Sequence, residues 1–175
     1  MKKVIVLLLS LLMLVACVPT VPLSDSEKFI IQFKLYSDEL AEEELNVKML
    51  EKYDDLKQEL KNGTHIVLLA SAEDFVNEAV FELMKVSLEY EAIRIYHFDY
   101  EKLNDKQLTE VQEIATPYAS DYDISNPMIY FMKNGEVTSW FDTDSIKMSS
   151  LPLDSVFKEA FDEIAHTSKP GCNEC

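Results

Sequence analysis

The sequence predicts an α/β fold in which a central mixed sheet is flanked by helices, and three stretches carry that prediction. "HIVLLAS", His65 to Ser71, is a short aliphatic run of the kind found in a strand covered on both faces and central to its sheet. "EDFVNEAVFELMKVSLEY" follows with Val76, Ala79, Val80, Leu83 and Met84 at helical spacing. "AIRIYHFDY", from Ala92, then alternates Ile93, Ile95 and His97 against Arg94, Tyr96 and Phe98. Strand, helix and strand of this length form a right-handed βαβ unit with parallel strands. Further on, "PMIYFM" and "EVTSWF" flank Asn134-Gly135, the dipeptide that favours a two-residue turn, so an antiparallel pair joins the parallel one.

The remaining elements follow in chain order. "KFIIQFKLYSDELAEEELN", from Lys28, supports two readings: Phe29, Ile31 and Phe33 on one side suit a short strand or the start of a helix, and "ELAEEEL" is a solvated face. Met49, Tyr53, Leu56 and Leu60 recur at helical spacing, and that run stops at Asn62-Gly63. Ser71 or Asp74 is available to cap the helix after the first strand. Asn104 and Gln107 have capping-box spacing ahead of Leu108, Val111 and Ile114. "SSLPLDSVFKEAFDEIAHTS" closes the domain with a serine cap, Pro152 in the first turn, and Leu153, Val156, Phe157, Ala160, Phe161 and Ile164 on one face.

The N-terminus sets the compartment. "MKK" is a short positive region, and Val4 to Ala16 is an apolar stretch of thirteen residues, well short of the roughly 20 that span a bilayer. These are the proportions of a secretory signal peptide. The stretch ends in "LVAC", which resembles the lipobox of bacterial lipoproteins. That resemblance implies cleavage before Cys17, a diacylglyceryl thioether on its sulfur, and an acyl group such as palmitate on its new amine. Two or more lipid chains anchor stably, so the expected location is the extracytoplasmic face of the cell membrane.

The expected organisation is a signal peptide at 1–16, lipidated Cys17 and a tether at 17–27, one domain at 28–168, and a tail at 169–175. Proline and serine in "VPTVPLSDSE" mark the tether. Loss of Lys2 and Lys3 takes the net charge from −16 to −18. Such a surface repels phosphate backbones, which excludes nucleic acid as a partner, and it repels anionic headgroups equally. With Cys17 consumed, only Cys172 and Cys175 remain, so apolar packing rather than a disulfide framework must hold the fold.

A parallel βαβ, a crossing helix, a hairpin entered through a proline and a closing helix is an order that resembles the thioredoxin fold. The likeness covers roughly residues 45 to 166 and is sharpest at "ISNPMIYFMKNGEV", Ile124 to Val137. It implies a three-layer thioredoxin-like domain with Pro127 as the family's cis-proline, preceded by Asn126. The same alignment puts "DFVN", Asp74 to Asn77, where the redox CxxC stands at a helix N-terminus, and Leu68 where a buried acid assists proton transfer. A helix N-terminus lowers a thiol's pKa; here both the thiols and the acid are missing. In relatives the loop at the cis-proline also receives extended polypeptide. The expected binding cleft therefore lies beside Pro127, Asn126, Glu73, Asp74 and Phe75.

Other chemistry has little to rest on. His65, His97 and His166 lack ligand spacing, and no EF-hand pattern, Gly-x-Ser-x-Gly or phosphate-cradling loop occurs. No metal and no cofactor is expected. "CNEC", Cys172 to Cys175, has redox spacing, but Glu174 and the terminal carboxylate raise a nearby thiol's pKa. In the expected fold the closing helix carries the tail about 20 Å away from the usual active-site edge. Nine extended residues span about 30 Å at most. The reading is a lipoprotein, more a binding or interaction module for a protein or peptide than an enzyme. Its rival is a thiol-disulfide oxidoreductase using Cys172 and Cys175.

Overall fold

The computed structural model describes residues 25–38, 40, 42–71, 74–115, 127–143, 146 and 151–165. The stretch expected to be a signal peptide, Cys17 and the tail with Cys172 and Cys175 lie outside the described residues, as do Glu73 and Asn126. The elements are α1 (Asp25–Tyr36), β1 (Val47–Met49), α2 (Tyr53–Glu59) and β2 (His65–Leu69). A 3-10 turn (Asp74–Val76), α3 (Glu78–Ser87), β3 (Ile95–Phe98), a second 3-10 turn (Tyr100–Lys102) and α4 (Asp105–Ala115) follow. The hairpin β4 (Met128–Lys133) and β5 (Glu136–Asp142) leads to α5 (Leu153–Ala165).

The five strands form one mixed sheet in the order β1-β3-β2-β4-β5. β1 and β2 each run parallel to β3, with Met49 opposite His97 and Leu68 opposite the same residue on the other side. β4 runs antiparallel to β2, and β5 antiparallel to β4. The expected α/β class, the βαβ unit, the hairpin and the central place of His65–Leu69 are all present. Every residue of β2 is buried.

Alternation along the strands builds two cores from one sheet. Ile66 and Leu68 of β2 and Ile129 and Phe131 of β4 face a core shared with Phe29 and Phe33 of α1, Leu83 of α3 and Phe157 and Phe161 of α5. Val67 and Leu69, with Met128, Tyr130 and Met132, face the opposite core against Leu56 and Leu60 at α2 and Val111 and Ala115 of α4. The molecule is thus three layers, with α1, α3 and α5 on one side of the sheet and α2 and α4 on the other.

Several expectations are corrected. The two-way reading at Lys28 resolves as a helix, which begins at Asp25, inside the stretch read as tether. Met49 belongs to a strand, not to the helical series: Val47 and Met49 pair with Ile95 and His97, and that ladder outweighs the coincidental spacing to Tyr53. The helix after β2 starts at Glu78 with Asn77 as its cap, since Ser71 and Asp74 bond each other instead. The intervening 3-10 turn rotates Val76 out of the core, leaving it 51% exposed. The capping box is present as expected: the Asn104 N–H donates to Gln107 Oε1 at 3.1 Å, and the Gln107 N–H to Asn104 Oδ1 at 3.0 Å.

The hairpin turn is also a tertiary clasp. Asn134 and Gly135 have φ of 54° and 82°, the left-handed pair that a type I′ turn requires. The Gly135 N–H donates to Gly63 O at 2.8 Å, and the Asn134 N–H to Thr64 Oγ1 at 3.1 Å. The turn therefore lies on the loop that opens β2. A Cβ at Gly135 would stand 2.4 Å from Lys61 O, so the backbones there approach too closely for any other residue. Gly135→Ala is expected to cost more than about 1 kcal/mol, through positive φ and the clash together. Urea unfolding measures this; an unchanged midpoint would contradict it.

Candidate functional site

The cleft residues expected from the sequence belong to the edge where β2 and β3 end. β2 stops because Ala70 and Ser71 turn away from the ladder, with the Ala70 N–H donating its last bond to Phe98 O at 3.1 Å. The Ser71 N–H then donates to Asp74 Oδ2 at 2.7 Å, and the Asp74 N–H returns to Ser71 O at 3.2 Å. Asp74 is half-buried and bonds backward to the strand end, not forward to the helix amides. Asn77 takes the capping role: its Oδ1 accepts from the Ala79 N–H at 3.0 Å, as an extended N-cap residue does.

From Asn77 the network crosses the domain. Its Nδ2 donates to Thr143 Oγ1 at 3.3 Å, and the Thr143 N–H donates to Pro127 O at 3.2 Å. The Asn77 N–H also donates to Asp74 O at 2.9 Å, so Asp74 and Pro127, far apart in sequence, are joined by one chain of hydrogen bonds running through Asn77 and the buried Thr143. Tyr100 closes the β3 side. Burial, followed by the Asp74 charge, pushes its phenol up, and a hydrogen bond to Ser71 acts the other way. Tyr100 thus stays protonated at neutral pH and available as a donor beside Asp74.

Of the residues expected at the cleft, Asp74 and Pro127 are brought to one edge. Glu73 and Asn126 lie outside the described residues, as does the Phe75 side chain. So does the peptide bond expected to be cis, since Asn126 supplies half of it. Asn77, Thr143 and Tyr100 escaped sequence reasoning. An asparagine directly before the apolar run of α3 is an N-cap signal, so Asn77 was open to discovery. Nothing local marks Thr143.

Beneath this edge His97 is wedged between layers. Its ring stacks on Phe29 of α1 with centroids 4.3 Å apart. Nε2–H donates to Ala70 O at 2.9 Å, which leaves Nδ1 bare and facing Met49 Sδ at 2.9 Å. Burial drives its pKa down to about 4; the bond to Ala70 opposes this and the Lys102 charge adds to it. The imidazole is therefore a neutral strut under α1 at physiological pH. His65, at the other end of β2, is likewise lowered by burial and donates through Nε2 to Glu59 O at 3.0 Å.

No protein-family model matches the chain, and no curated protein sequence matches it. The chemistry must be judged from the residues alone. At the described edge stand a carboxylate, an amide, two hydroxyls besides Ser71 and a neutral, inaccessible imidazole. No nucleophile is paired with a base there, and among the described residues no group of three His, Cys, Asp or Glu is placed to hold a metal ion.

A groove of about 650 Å³ lies at the opposite end of the sheet, where β1 and β3 begin. Arg94, the chain's single arginine, stands on its wall, with Nε–H donating to Asn46 Oδ1 at 3.1 Å. Asn46 is fixed in turn by donating to Glu91 O at 2.9 Å. Glu43, Glu44 and Glu91 share that wall, so its charges are mixed. The sequence reading did not single out this groove.

The His97 account gives a pH dependence with a definite sign. Above pH 6.5 the imidazole is neutral whether the chain is folded or not. Between pH 6.5 and 4 the unfolded chain takes up a proton that the folded one refuses, so stability is lost as the pH is lowered, by about 3 kcal/mol in all from this residue. Below pH 4 its contribution is flat. Urea unfolding across this range should show a shallower slope in His97→Gln than in the parent, with His65 supplying part of what remains. Equal slopes would contradict a neutral buried His97.

Proposed function

We propose that the chain is a membrane-anchored extracytoplasmic lipoprotein whose thioredoxin-like, redox-site-degenerate domain serves as a binding or interaction module. Support for the thioredoxin-like reading comes from the architecture: parallel β2 and β3 joined by α3, a crossing α4, an antiparallel hairpin entered directly after Pro127, and a closing α5. Support for anchoring comes from the short apolar leader ending in "LVAC" and from its likeness to a lipobox.

The observation that carries the loss of redox chemistry is the wiring of Asp74 to Asn77. In the resemblance this is the place of the reactive thiols. Here Asp74 is bonded to Ser71, and Asn77 caps α3 and reaches Thr143. The helix N-terminus that would activate a thiolate instead carries the Asn77 side chain as its cap. Leu68, in the place of the buried acid, is wholly enclosed among apolar neighbours.

The position of α5 weighs against chemistry by the tail. β5 ends beside the start of β4, with Asp142 opposite Met128, and β4 ends beside the start of β2. The Lys133 Nζ donates to Glu163 O at 2.5 Å, so α5 runs from the cleft end of the sheet to the other end. Its 13 residues carry the chain about 20 Å. Cys172 and Cys175 thus follow a helix that ends away from Asp74 and Pro127.

Insulin reduction and peptide oxidation by the soluble 18–175 fragment, with and without Cys172→Ser, test this reading. Neither form is expected to turn over. Turnover abolished by Cys172→Ser would contradict the binding-module reading and favour a thiol-disulfide oxidoreductase working through the tail.

A further inference from the structure

We infer that the outer face of α1, built on Ile31 and Leu35, rests in the interfacial region of the lipid bilayer and fixes how the domain stands on the membrane. The inference rests on the lipid anchor at Cys17 proposed above. Its own basis is a surface that a strongly acidic protein has no reason to leave apolar.

α1 is amphipathic in an unusual sense, with apolar residues on both sides. Phe29 and Phe33, one turn apart, are buried against the sheet, Phe29 on His97 and Phe33 beside Phe81. Ile31 and Leu35, also one turn apart, point to the opposite side and are 42% and 79% exposed. Exposed Glu27 lies one turn before Ile31 in the same row, and exposed Lys28 and Gln32 form the adjoining row. Residues four apart share a helix face, so the stripe presents two large aliphatic side chains between one glutamate and one lysine. Long basic side chains at such a border lay their stems along apolar surface and keep the charge in water.

A third exposed aliphatic lies on the element next to α1. α1 packs against the 3-10 turn Asp74–Val76, which turns Val76 outward. Five large hydrophobic residues are exposed among the described residues, and three of them, Ile31, Leu35 and Val76, lie on these two packed elements. Single exposed aliphatics are ordinary, whereas clustered ones mark contact surfaces.

Chain length selects the occupant. Only seven residues, Val18 to Ser24, separate Cys17 from the start of α1. At full extension they hold the helix within about 30 Å of the lipidated residue. A surface tethered that closely meets the bilayer at high effective concentration, so a patch too small to bind from solution can remain in contact. The net charge of −16, or −18 after maturation, disfavours anionic headgroups. The contact must therefore be apolar, and it should persist on zwitterionic lipid.

The test uses the mature lipidated protein in phosphatidylcholine vesicles, with Cys172→Ser and Cys175→Ser so that a single added cysteine takes an environment-sensitive dye. The dye is placed at Leu35→Cys or, on the opposite layer, at exposed Glu113→Cys. Lipids brominated near the headgroup are expected to quench position 35 at least threefold more than position 113, and Ile31→Ser should lower the quenching at 35. Equal quenching at both positions, in protein that floats with the vesicles, would overturn the inference and leave the anchor standing. An unmodified Cys17 by mass spectrometry would overturn the anchor and this inference together. Dye burial at 35 that rises with protein concentration without vesicles would assign the face to a second copy and overturn the bilayer contact.

Discussion

Burial of β2 on both faces is the constraint on which the rest of the structure depends. Five consecutive residues, His65 to Leu69, are buried, which is possible only if strands lie on both edges and helices on both faces. Ladders to β3 and β4 satisfy the backbone, one parallel and one antiparallel. Ile66 and Leu68 seed one core, and Val67 and Leu69 the other. A slip of one residue in register would exchange the two sets, so the clasp of Asn134 and Gly135 onto Gly63 and Thr64 bears directly on which core each side chain enters.

The same strand determines what its far end can do. Where β2 stops, most of the described polar groups have been drawn into support: Ser71 with Asp74, Asn77 with Ala79 and Thr143, Thr143 with Pro127, His97 with Ala70. A reacting centre needs groups whose bonds are left for substrate. A binding surface needs a rigid frame, which these bonds supply. His97 extends that frame into α1 through its stack on Phe29, so the helix nearest the proposed anchor is coupled to the edge nearest the proposed cleft.

Much of the fold was legible because its signals are local. The aliphatic run of β2, the period of α3 and α5, the Asn104–Gln107 box and the Asn134-Gly135 turn each declare themselves within a few residues. β1 did not, since three residues carry no period and become a strand only by pairing with β3. The start of α3 was misplaced because Ser71, Asp74 and Asn77 are all capable caps, and only the backward bond from Asp74 to Ser71 decides among them. At the candidate site, Asp74 and Pro127 were found from a family likeness. The Asn77–Thr143 bond that joins them spans 66 positions, a distance over which one sequence holds no signal.

Native-state hydrogen exchange, residue by residue, tests the central role of β2 most directly. Amides of Ile66 to Leu69 should exchange only through global unfolding, with opening free energies equal to that measured by urea, while amides of α1 should open more easily. If the β2 amides exchange through openings well below the global value, the strand is not the element that holds the two cores together, and the account fails at its base.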